Sequence, residues 1–386
     1  MSLGSAFSFE MPTRIEYGPG VLRKLPDEFL ALGAKRVLVV TDKGVRKAGL
    51  ADRVCALLDP AVLEFAIYDG VEPNPKDRNV EEGAAIATEF GADAVIALGG
   101  GSPIDCAKSI CALVTHGGKI KQYEGKGKVV KPVLPWIAVP TTAGTGSEVT
   151  FSSVITDTAS SYKMTVKSPL MAARVALVDP TTTYSVPPAV TAATGVDALT
   201  HAIEAFTVTC SEPISDAVAL QAIGLISRHL RDAVNDGSNP EARAGMMLGS
   251  LLAGIAFSHS DVGSVHCIAE SLGGVYDLPH GVCNAILLPY VMEYNMDYCR
   301  ERYATVARMM GAAGCGEAGE DGAAAAVSAV KALCADVGLP KFSSLGIREE
   351  DLDLIAGMSS RNISTMSNPR PMSKDDYLEV LGRAMR

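Results

Sequence analysis

The first half of the chain repeats a short run of apolar, often β-branched residues, then a turn, then a longer stretch with helical spacing. Strands are predicted at Lys35 to Asp42, Val62 to Gly70 and Ala92 to Gly101, and helices at Val45 to Leu58 and Lys76 to Phe90. Strands that alternate with helices at this spacing form a doubly wound parallel sheet, with ligands at the carboxyl ends of the strands. The pattern therefore predicts an α/β domain.

From about Val186 the β-branched runs give way to Ala, Leu, Met and His at helical spacing, with Gly and Pro between the segments. The adjacent Pro187 and Pro188 block helix continuation there. A chain of 386 residues is also longer than one hydrophobic core usually serves. We therefore predict an α/β domain over residues 1–184 and an all-helical domain over residues 185–386, in which the alanine-rich Gly322 to Leu333 is an ordinary helix.

Composition excludes several classes of partner. With 34 basic and 44 acidic residues the net charge is −10, and no basic block offsets it, so nucleic acid and anionic membranes are disfavoured. No apolar run reaches the roughly 20 residues that span a bilayer. The nine cysteines are scattered without a CxxC pair, and the opening residues lack the features of a signal peptide. A cytoplasmic, reducing compartment is predicted.

Two loops rich in glycine or hydroxyl groups each follow a predicted strand. The first comprises Gly99, Gly100, Gly101 and Ser102 at the start of a helix, and the second offers Thr141, Thr142, Thr145 and Ser147. Glycines let the backbone approach a pyrophosphate, whose charge the N–H groups and the helix dipole stabilise. Neither loop is the GxGxxG fingerprint. Together they nevertheless predict a dinucleotide site, with purely structural tight turns as the alternative.

Asp42 ends the first predicted strand, where nucleotide-binding sheets often place a carboxylate for the adenosine ribose hydroxyls. A 2′-phosphate would meet like charge at this position. NAD is therefore favoured over NADP, and a simple aspartate in the turn after the strand is the alternative.

One carboxylate and three imidazoles form a candidate metal site, consisting of Asp197, His201, His266 and His280. Asp197 and His201 are four residues apart in a segment with helical spacing, so they project from one face. The ligand set suits Fe²⁺ or Zn²⁺ better than Ca²⁺ or Mg²⁺, which favour oxygen ligands. Each histidine alone is better explained as a core residue, and only the whole set predicts a metal site, one that leaves room for a substrate oxygen.

Ordered motifs along essentially the whole chain resemble the iron-containing (group III) alcohol dehydrogenase family. The motifs include EYGPG, VEPNP, GGGSPIDCAK, PTTAGTGSE, ALVDP, GVDALTHAIEA, PHGVCNAILLP and NPRP. The resemblance implies a nucleotide-binding α/β domain, a helical domain and a metal between them, held by Asp197, His201, His266 and His280. It also assigns to the NAD site Asp42, Asn74, Gly99 to Ser102, Asp105, Thr141, Thr142, Thr145, Ser147, Lys163 and Leu177.

The function that the resemblance implies is hydride transfer between NAD(H) and a small primary alcohol or aldehyde, with Fe²⁺ or Zn²⁺ as the metal. A homodimer is the default assembly for soluble enzymes of this kind. Two alternatives remain open, a lyase similar to dehydroquinate synthase that uses NAD transiently, and a catalytically silent metal- or nucleotide-binding homologue. The residues leave open which alcohol is used, the working direction, and iron against zinc.

Two positions depart from the family pattern. One turn after His266 the family usually has another histidine near the nicotinamide, whereas this chain has Glu270. Where relatives commonly read Phe-Ser-Asn-Ala, this chain has Phe257, Ser258, His259 and Ser260. Glu270 is a tentative catalytic residue that could relay a proton, or a glutamate without a chemical role. His259 either lines the substrate pocket or is a solvated helix residue.

Overall fold

The computed structural model describes residues 6–58, 63–312 and 320–386. The described chain forms two compact units. The α/β unit comprises residues 11–142 and 146–186, and the helical unit comprises the residues up to Glu10, residues 143–145 and residues 187–386. The division between residues 184 and 185 proposed from the sequence stays a prediction.

The α/β unit is built on a six-stranded parallel sheet. The strands of the unit are β1 Arg14–Tyr17, β2 Arg36–Val40, β3 Glu64–Tyr68, β4 Ala94–Gly99, β5 Gly125–Lys126, β6 Trp136–Pro140, β7 Ser152–Asp157, β8 Tyr162–Lys167 and β9 Val175–Val178. Its helices are α1 Leu25–Ala31, α2 Lys43–Lys47, α3 Leu50–Leu58, α4 Asp77–Phe90 and α5 Gly101–His116. The order in the large sheet is β1-β9-β6-β4-β2-β3, which confirms the predicted doubly wound fold.

The central strands are apolar because helices cover the sheet on both faces. Val39 pairs with Ile96, which in turn pairs with Ile137, and all three side chains are fully buried. Such continuous apolar strands are typical of parallel sheets. The chain leaves β2 toward β3 on one side and β4 toward β6 on the other, so β2 and β4 form a topological switch point. Ligands of open α/β sheets bind at such a point, beyond the strand ends.

Two details of the α/β unit differ from the predictions. The predicted helix from Val45 to Leu58 is wrong as a single element, because the chain turns at Gly49, whose φ is 77°, and two helices result. A glycine tolerates this left-handed conformation without strain. A small second sheet, in the order β5-β8-β7, was also missed.

The helical unit contains eight described α-helices. They are α6 Pro188–Thr207, α7 Pro213–Asn235, α8 Pro240–His259, α9 Ser264–Tyr276, α10 His280–Met309, α11 Glu320–Asp336, α12 Leu352–Ser359 and α13 Lys374–Met385. Helix α6 is the central element, and it packs against α7, α8 and α10. The alanine-rich segment lies within α11, as predicted.

Two further predictions concern the whole chain. Among the helices of the described ranges, none is long and apolar enough to cross a membrane. The eight described cysteines carry free thiols. Cys315 lies outside the described residues.

Close packing around α6 yields a test of the helical core. A Cβ on Gly195 would lie 2.3 Å from Cδ1 of Leu230 and 2.9 Å from Cε of Met246. Both neighbours are buried, so we expect Gly195→Ala to lower the free energy of unfolding by about 1–3 kcal/mol through overpacking. Chemical denaturation measures the change.

The matched control is Gly382→Ala in α13, where a Cβ would meet nothing within 4 Å. Alanine favours helix over glycine by about 1 kcal/mol, so this variant should be unchanged or slightly more stable. Stabilisation by both substitutions would contradict the tight packing described for α6.

Candidate metal and nucleotide sites

Helix α6 carries two of the predicted metal ligands into the helical core. Asp197 and His201 are one turn apart on one face, and their exposed fractions are 1% and 4%. His201 stacks on the ring of Phe257 from α8, with ring centroids 4.4 Å apart. The packing fixes the orientation of the imidazole before any ligand binds.

The other two ligands lie near the beginnings of two later helices. His266 is in the first turn of α9 and is 3% exposed, and the half-buried His280 is the first residue of α10. The ring centroid of His266 is 4.5 Å from that of His201 and 5.3 Å from that of His280. Three imidazoles from three helices therefore surround one point.

The structure brings all four predicted ligands together. One ligand atom from each of Asp197, His201, His266 and His280 lies within 4.8 Å of the others. Asn284, one turn after His280, lies beside three of these four side chains. Its Nδ2 is 2.7 Å from Oδ1 of Asp197 and 3.0 Å from Nε2 of both His266 and His280. The amide NH₂ group lies close to all three atoms, so a carboxylate oxygen and two imidazole nitrogens face the same place.

Burial and charge set the protonation of the imidazoles. Burial lowers the pKa of His201 well below its usual range, and neighbouring His266 lowers it further. Burial also acts to lower the pKa of His266, but the carboxylates of Glu204, Asp197 and Glu270 act against it, and together they leave this pKa raised. A neutral imidazole is the form that binds a metal. His201 is held in that form by its surroundings.

These donors fit a divalent first-row transition ion. Three imidazole nitrogens and one carboxylate oxygen suit iron or zinc, whereas calcium and magnesium prefer oxygen shells. The acceptor atoms already face one shared donor, as a cation requires.

In the α/β unit, the predicted phosphate loops follow neighbouring strands. Gly99 ends β4 with φ of 155°, and Gly100 precedes the first turn of α5 without a capping side chain. The N–H of Thr141, directly after β6, donates to the carbonyl of Gly99 at 2.9 Å. A Cβ on Gly100 would lie 3.0 Å from Oγ1 of Thr142. The close approach of two loops explains the glycines, and it leaves the N-terminus of α5 open to an anion.

Asp42 follows β2, next to β4 at the switch point. Its Oδ1 accepts a hydrogen bond from the N–H of Val45 at 2.8 Å and so caps α2. The carboxylate therefore has a structural contact, while its place beyond the strand end is the one predicted for ribose binding.

Five other residues that the resemblance assigns to the NAD site differ in their burial and in the unit to which they belong. Lys163 donates to Oδ1 of Asn74 at 2.7 Å, so these two form a buried pair. Leu177 lies in β9 with its side chain fully in the core. Ser102 is half-buried at the start of α5. Thr145 belongs to the helical unit rather than to the α/β unit.

A buried lysine, which the sequence-based prediction missed, connects the two phosphate loops. Nζ of Lys108 on α5 is 2.7 Å from Oγ of Ser147, 2.8 Å from Oγ1 of Thr150 and 3.2 Å from Oδ1 of Asp105. Ser147 also donates to Asp105 at 2.5 Å. Predicted NAD contacts Asp105 and Ser147 thus bind each other and Lys108, which fixes the second loop to α5. A lysine on the apolar face of a helix was the available signal.

The two departures from the family pattern have defined contacts. Oε2 of Glu270, one turn after His266 on α9, accepts a hydrogen bond from Nδ2 of Asn362 at 2.6 Å. His259 stacks on Phe9 with centroids 3.8 Å apart, and its Nε2 is 2.7 Å from the carbonyl oxygen of Glu10. His259 therefore packs against the N-terminal segment, and the role of each residue stays a prediction.

The Lys108 network yields a test of the phosphate loops. We expect Lys108→Met to lower the free energy of unfolding by about 3–5 kcal/mol, because it leaves Asp105 and the loop hydroxyls without a buried cation. The dissociation constant for NAD should rise as the second loop loosens. Thermal denaturation and calorimetric titration with NAD measure the two effects.

Lys374→Met is the control, since Lys374 also pairs with an aspartate, Asp353, but the two side chains are 45% and 70% exposed. Exposed pairs contribute about 0–1 kcal/mol, so the control should change little. Equal effects of the two substitutions would contradict an organising role for Lys108.

Comparison with known proteins identifies the family. Residues 12–180 match the iron-containing alcohol dehydrogenase model, and residues 191–385 match the model of the C-terminal part of the same family. The chain is 42% identical to a 1,3-propanediol dehydrogenase of Klebsiella pneumoniae over 381 residues, 98% of each protein. It is 37% identical to an NAD-dependent methanol dehydrogenase of Bacillus methanolicus, over 98% of this chain and 100% of that protein.

A solved structure agrees with these relatives. The crystal structure of a 1,3-propanediol oxidoreductase superposes with a TM-score of 0.96 at 42% identity, covering 98% of this chain and 100% of that one. These comparisons give no support to the lyase or to a silent homologue. The resemblance drawn from the motifs is confirmed. The chain belongs to the iron-containing alcohol dehydrogenase family and is an alcohol dehydrogenase.

Proposed function

We propose that this enzyme interconverts a small primary alcohol and its aldehyde, with NAD(H) as the hydride carrier and Fe²⁺ or Zn²⁺ as the metal. The observation that carries the proposal is the convergence of Asp197, His201, His266 and His280 within 4.8 Å in a member of this family. Relatives named for 1,3-propanediol, methanol and lactaldehyde support small alcohols and aldehydes as substrates. We further propose a cytoplasmic homodimer.

The four side chains would hold the ion, which supplies Lewis acidity that lowers the pKa of an alcohol or polarises a carbonyl. The neighbouring residues orient the ligand side chains. Phe257 stacks on His201, and Glu204 and Asn284 contact His266. Because the ligands are buried and held in place, little reorganisation is needed when a substrate binds.

The α/β unit would bind NAD at the switch point of its sheet. The N-terminus of α5 and the glycines Gly99 to Gly101 suit the pyrophosphate, with hydroxyls from Thr141 and Thr142 nearby. Asp42 suits the ribose hydroxyls, and the Asn74 and Lys163 pair supplies a further polar contact. We propose the other assigned residues, Ser102, Asp105, Thr145, Ser147 and Leu177, as part of the same site, through backbone contacts or by shaping the loops.

Removal of one ligand tests the metal site. We expect His280→Ala to reduce Zn²⁺ or Fe²⁺ content and NAD-linked turnover by more than the roughly 10- to 100-fold loss typical of residues that only orient a ligand. Metal content is measured by elemental analysis, and turnover by NADH formation with 1,3-propanediol and other small alcohols. A chelator should abolish the wild-type activity, and added metal should restore it.

The control is His116→Ala at the end of α5, where the imidazole contacts the carbonyl of Ala112. This variant should keep both metal and turnover. Full activity of His280→Ala, or of the chelated wild type, would rule out the proposed metal-dependent mechanism.

Glu270 is the proposed proton-relay residue, and its replacement tests that role. We expect Glu270→His to move the acid limb of the pH–rate profile to higher pH. Glutamate carboxyl groups ordinarily have a pKa of about 4.3, whereas imidazoles have a pKa of about 6.5. Profiles of kcat for Glu270→His, Glu270→Gln and the wild type measure the change. Asn362→Ala, which removes the amide bonded to Glu270 together with the oxygen that accepts from the N–H of Ser364, is the control. Superimposable profiles for all four proteins would make Glu270 a bystander.

A further inference from the structure

Glu204 is a buried carboxylate that neither the metal ligands nor the NAD site account for. It lies on α6, three residues after His201 and seven after Asp197, so the three side chains share one helix face. Its side chain is 6% exposed. A buried carboxylate is costly unless its oxygens are satisfied, so its contacts indicate what it does.

The two oxygens of Glu204 hold the beginning of another helix. Oε1 accepts a hydrogen bond from the N–H of Val265 at 2.8 Å, and Oε2 is 2.5 Å from Nδ1 of His266. The N-cap residue of α9 is Gly263, which has no side chain to accept these bonds. A Cβ there would lie 2.9 Å from Oε1 of Glu204. Glu204 thus caps α9 from α6, with its charge at the positive end of the helix dipole.

The same contact determines which nitrogen of His266 carries the proton. A carboxylate accepts hydrogen bonds, so Nδ1 of His266 carries the hydrogen and donates it, and in the neutral imidazole Nε2 then keeps its lone pair. The opposite side of the ring leads to the same assignment. Nε2 is 3.0 Å from Nδ2 of Asn284, which can only donate. Contacts on opposite sides of the ring thus both favour one tautomer of the neutral imidazole, the one in which Nε2 can bind a metal.

We propose that Glu204 is a positioning residue for the metal centre. It holds His266 in the Nδ1–H tautomer, directs Nε2 toward the other ligands, and adds a second negative charge beside that of Asp197 to balance a divalent ion. Partners of this kind raise ligand basicity and commonly change metal affinity by about 10- to 100-fold. The inference rests on the proposed function, because it requires that the four ligands bind a metal.

Glu204→Gln tests this role because glutamine has nearly the same shape. Its amide oxygen can keep the bond to Val265, which turns its NH₂ group toward Nδ1 of His266 and favours the Nε2–H tautomer. We expect the dissociation constant for Zn²⁺, measured by competition with a chromogenic chelator, to rise about 10- to 100-fold. Nitrogen NMR of protein labelled in histidine should show His266 changing from the Nδ1–H to the Nε2–H form.

Glu212→Gln is a matched control for the loss of a buried helix cap. Glu212 is 2% exposed, and its oxygens accept hydrogen bonds from the N–H groups of Ile214 at 2.8 Å and Ser215 at 2.6 Å at the start of α7. Both variants should lose similar thermal stability, but only Glu204→Gln should lose Zn²⁺ affinity. An unchanged affinity in Glu204→Gln, or an equal loss in both, would overturn the proposal.

Glu204→Asp keeps the negative charge on a shorter side chain. It tests the proposal if Glu204→Gln does not fold. We expect it to retain the Nδ1–H tautomer with a smaller loss of Zn²⁺ affinity than Glu204→Gln; an Nε2–H tautomer in Glu204→Asp would refute the assignment. A wild-type protein that binds neither Zn²⁺ nor Fe²⁺ would instead contradict the proposed function. Failure of the inference and failure of the function are thus distinguished.

Discussion

The packing of the helical unit depends on the hydrogen bonds of the buried polar side chains on one face of α6. Asp197, His201 and Glu204 are 1%, 4% and 5% exposed in a core that consists mainly of apolar side chains. Each unpaired buried carboxylate would cost several kcal/mol, but Asn284 donates to Asp197, and Val265 and His266 contact Glu204. These partners come from α9 and α10. The three helices therefore pack in one register, because a shift of any one of them would leave a charge without a partner.

The α/β unit uses a buried ion in a comparable way. Lys108 is fully buried, yet Asp105, Ser147 and Thr150 surround its ammonium group. Burial lowers the pKa of Lys108, and the charge of Asp105 opposes that shift. The hydrogen bonds from Lys108 to Ser147 and Thr150 join α5, which begins at the first phosphate loop, to the segment after β6. The geometry of the proposed pyrophosphate site therefore depends on a group that lies beneath it.

Strands and helix faces that follow from local residue spacing could be predicted from the sequence. Buried residues whose positions depend on partners distant along the chain were missed. Apolar runs identified β2 and β4, and the four-residue spacing of Asp197 and His201 placed both on one helix face. Glu204 and Lys108 were missed because glutamate and lysine in helices usually face solvent. Their burial follows from contacts 62 and 44 residues away along the chain, with His266 and Ser152. The break at Gly49 was missed because the apolar spacing continues through it.

Charge balance explains why the departure at Glu270 matters chemically. Asp197 and Glu204 would together offset the charge of a bound divalent ion, so Glu270, in place of the family's usual histidine, would add a further negative charge beside the proposed site. Glu270 acts to raise the pKa of His266, which shows that its charge reaches the ligand cluster. Asn362 donates to its carboxylate and holds it in place. Such a field disfavours an anionic substrate more than a neutral one. A negative charge at Glu270 thus favours the small uncharged alcohols that we propose as substrates over anionic ones.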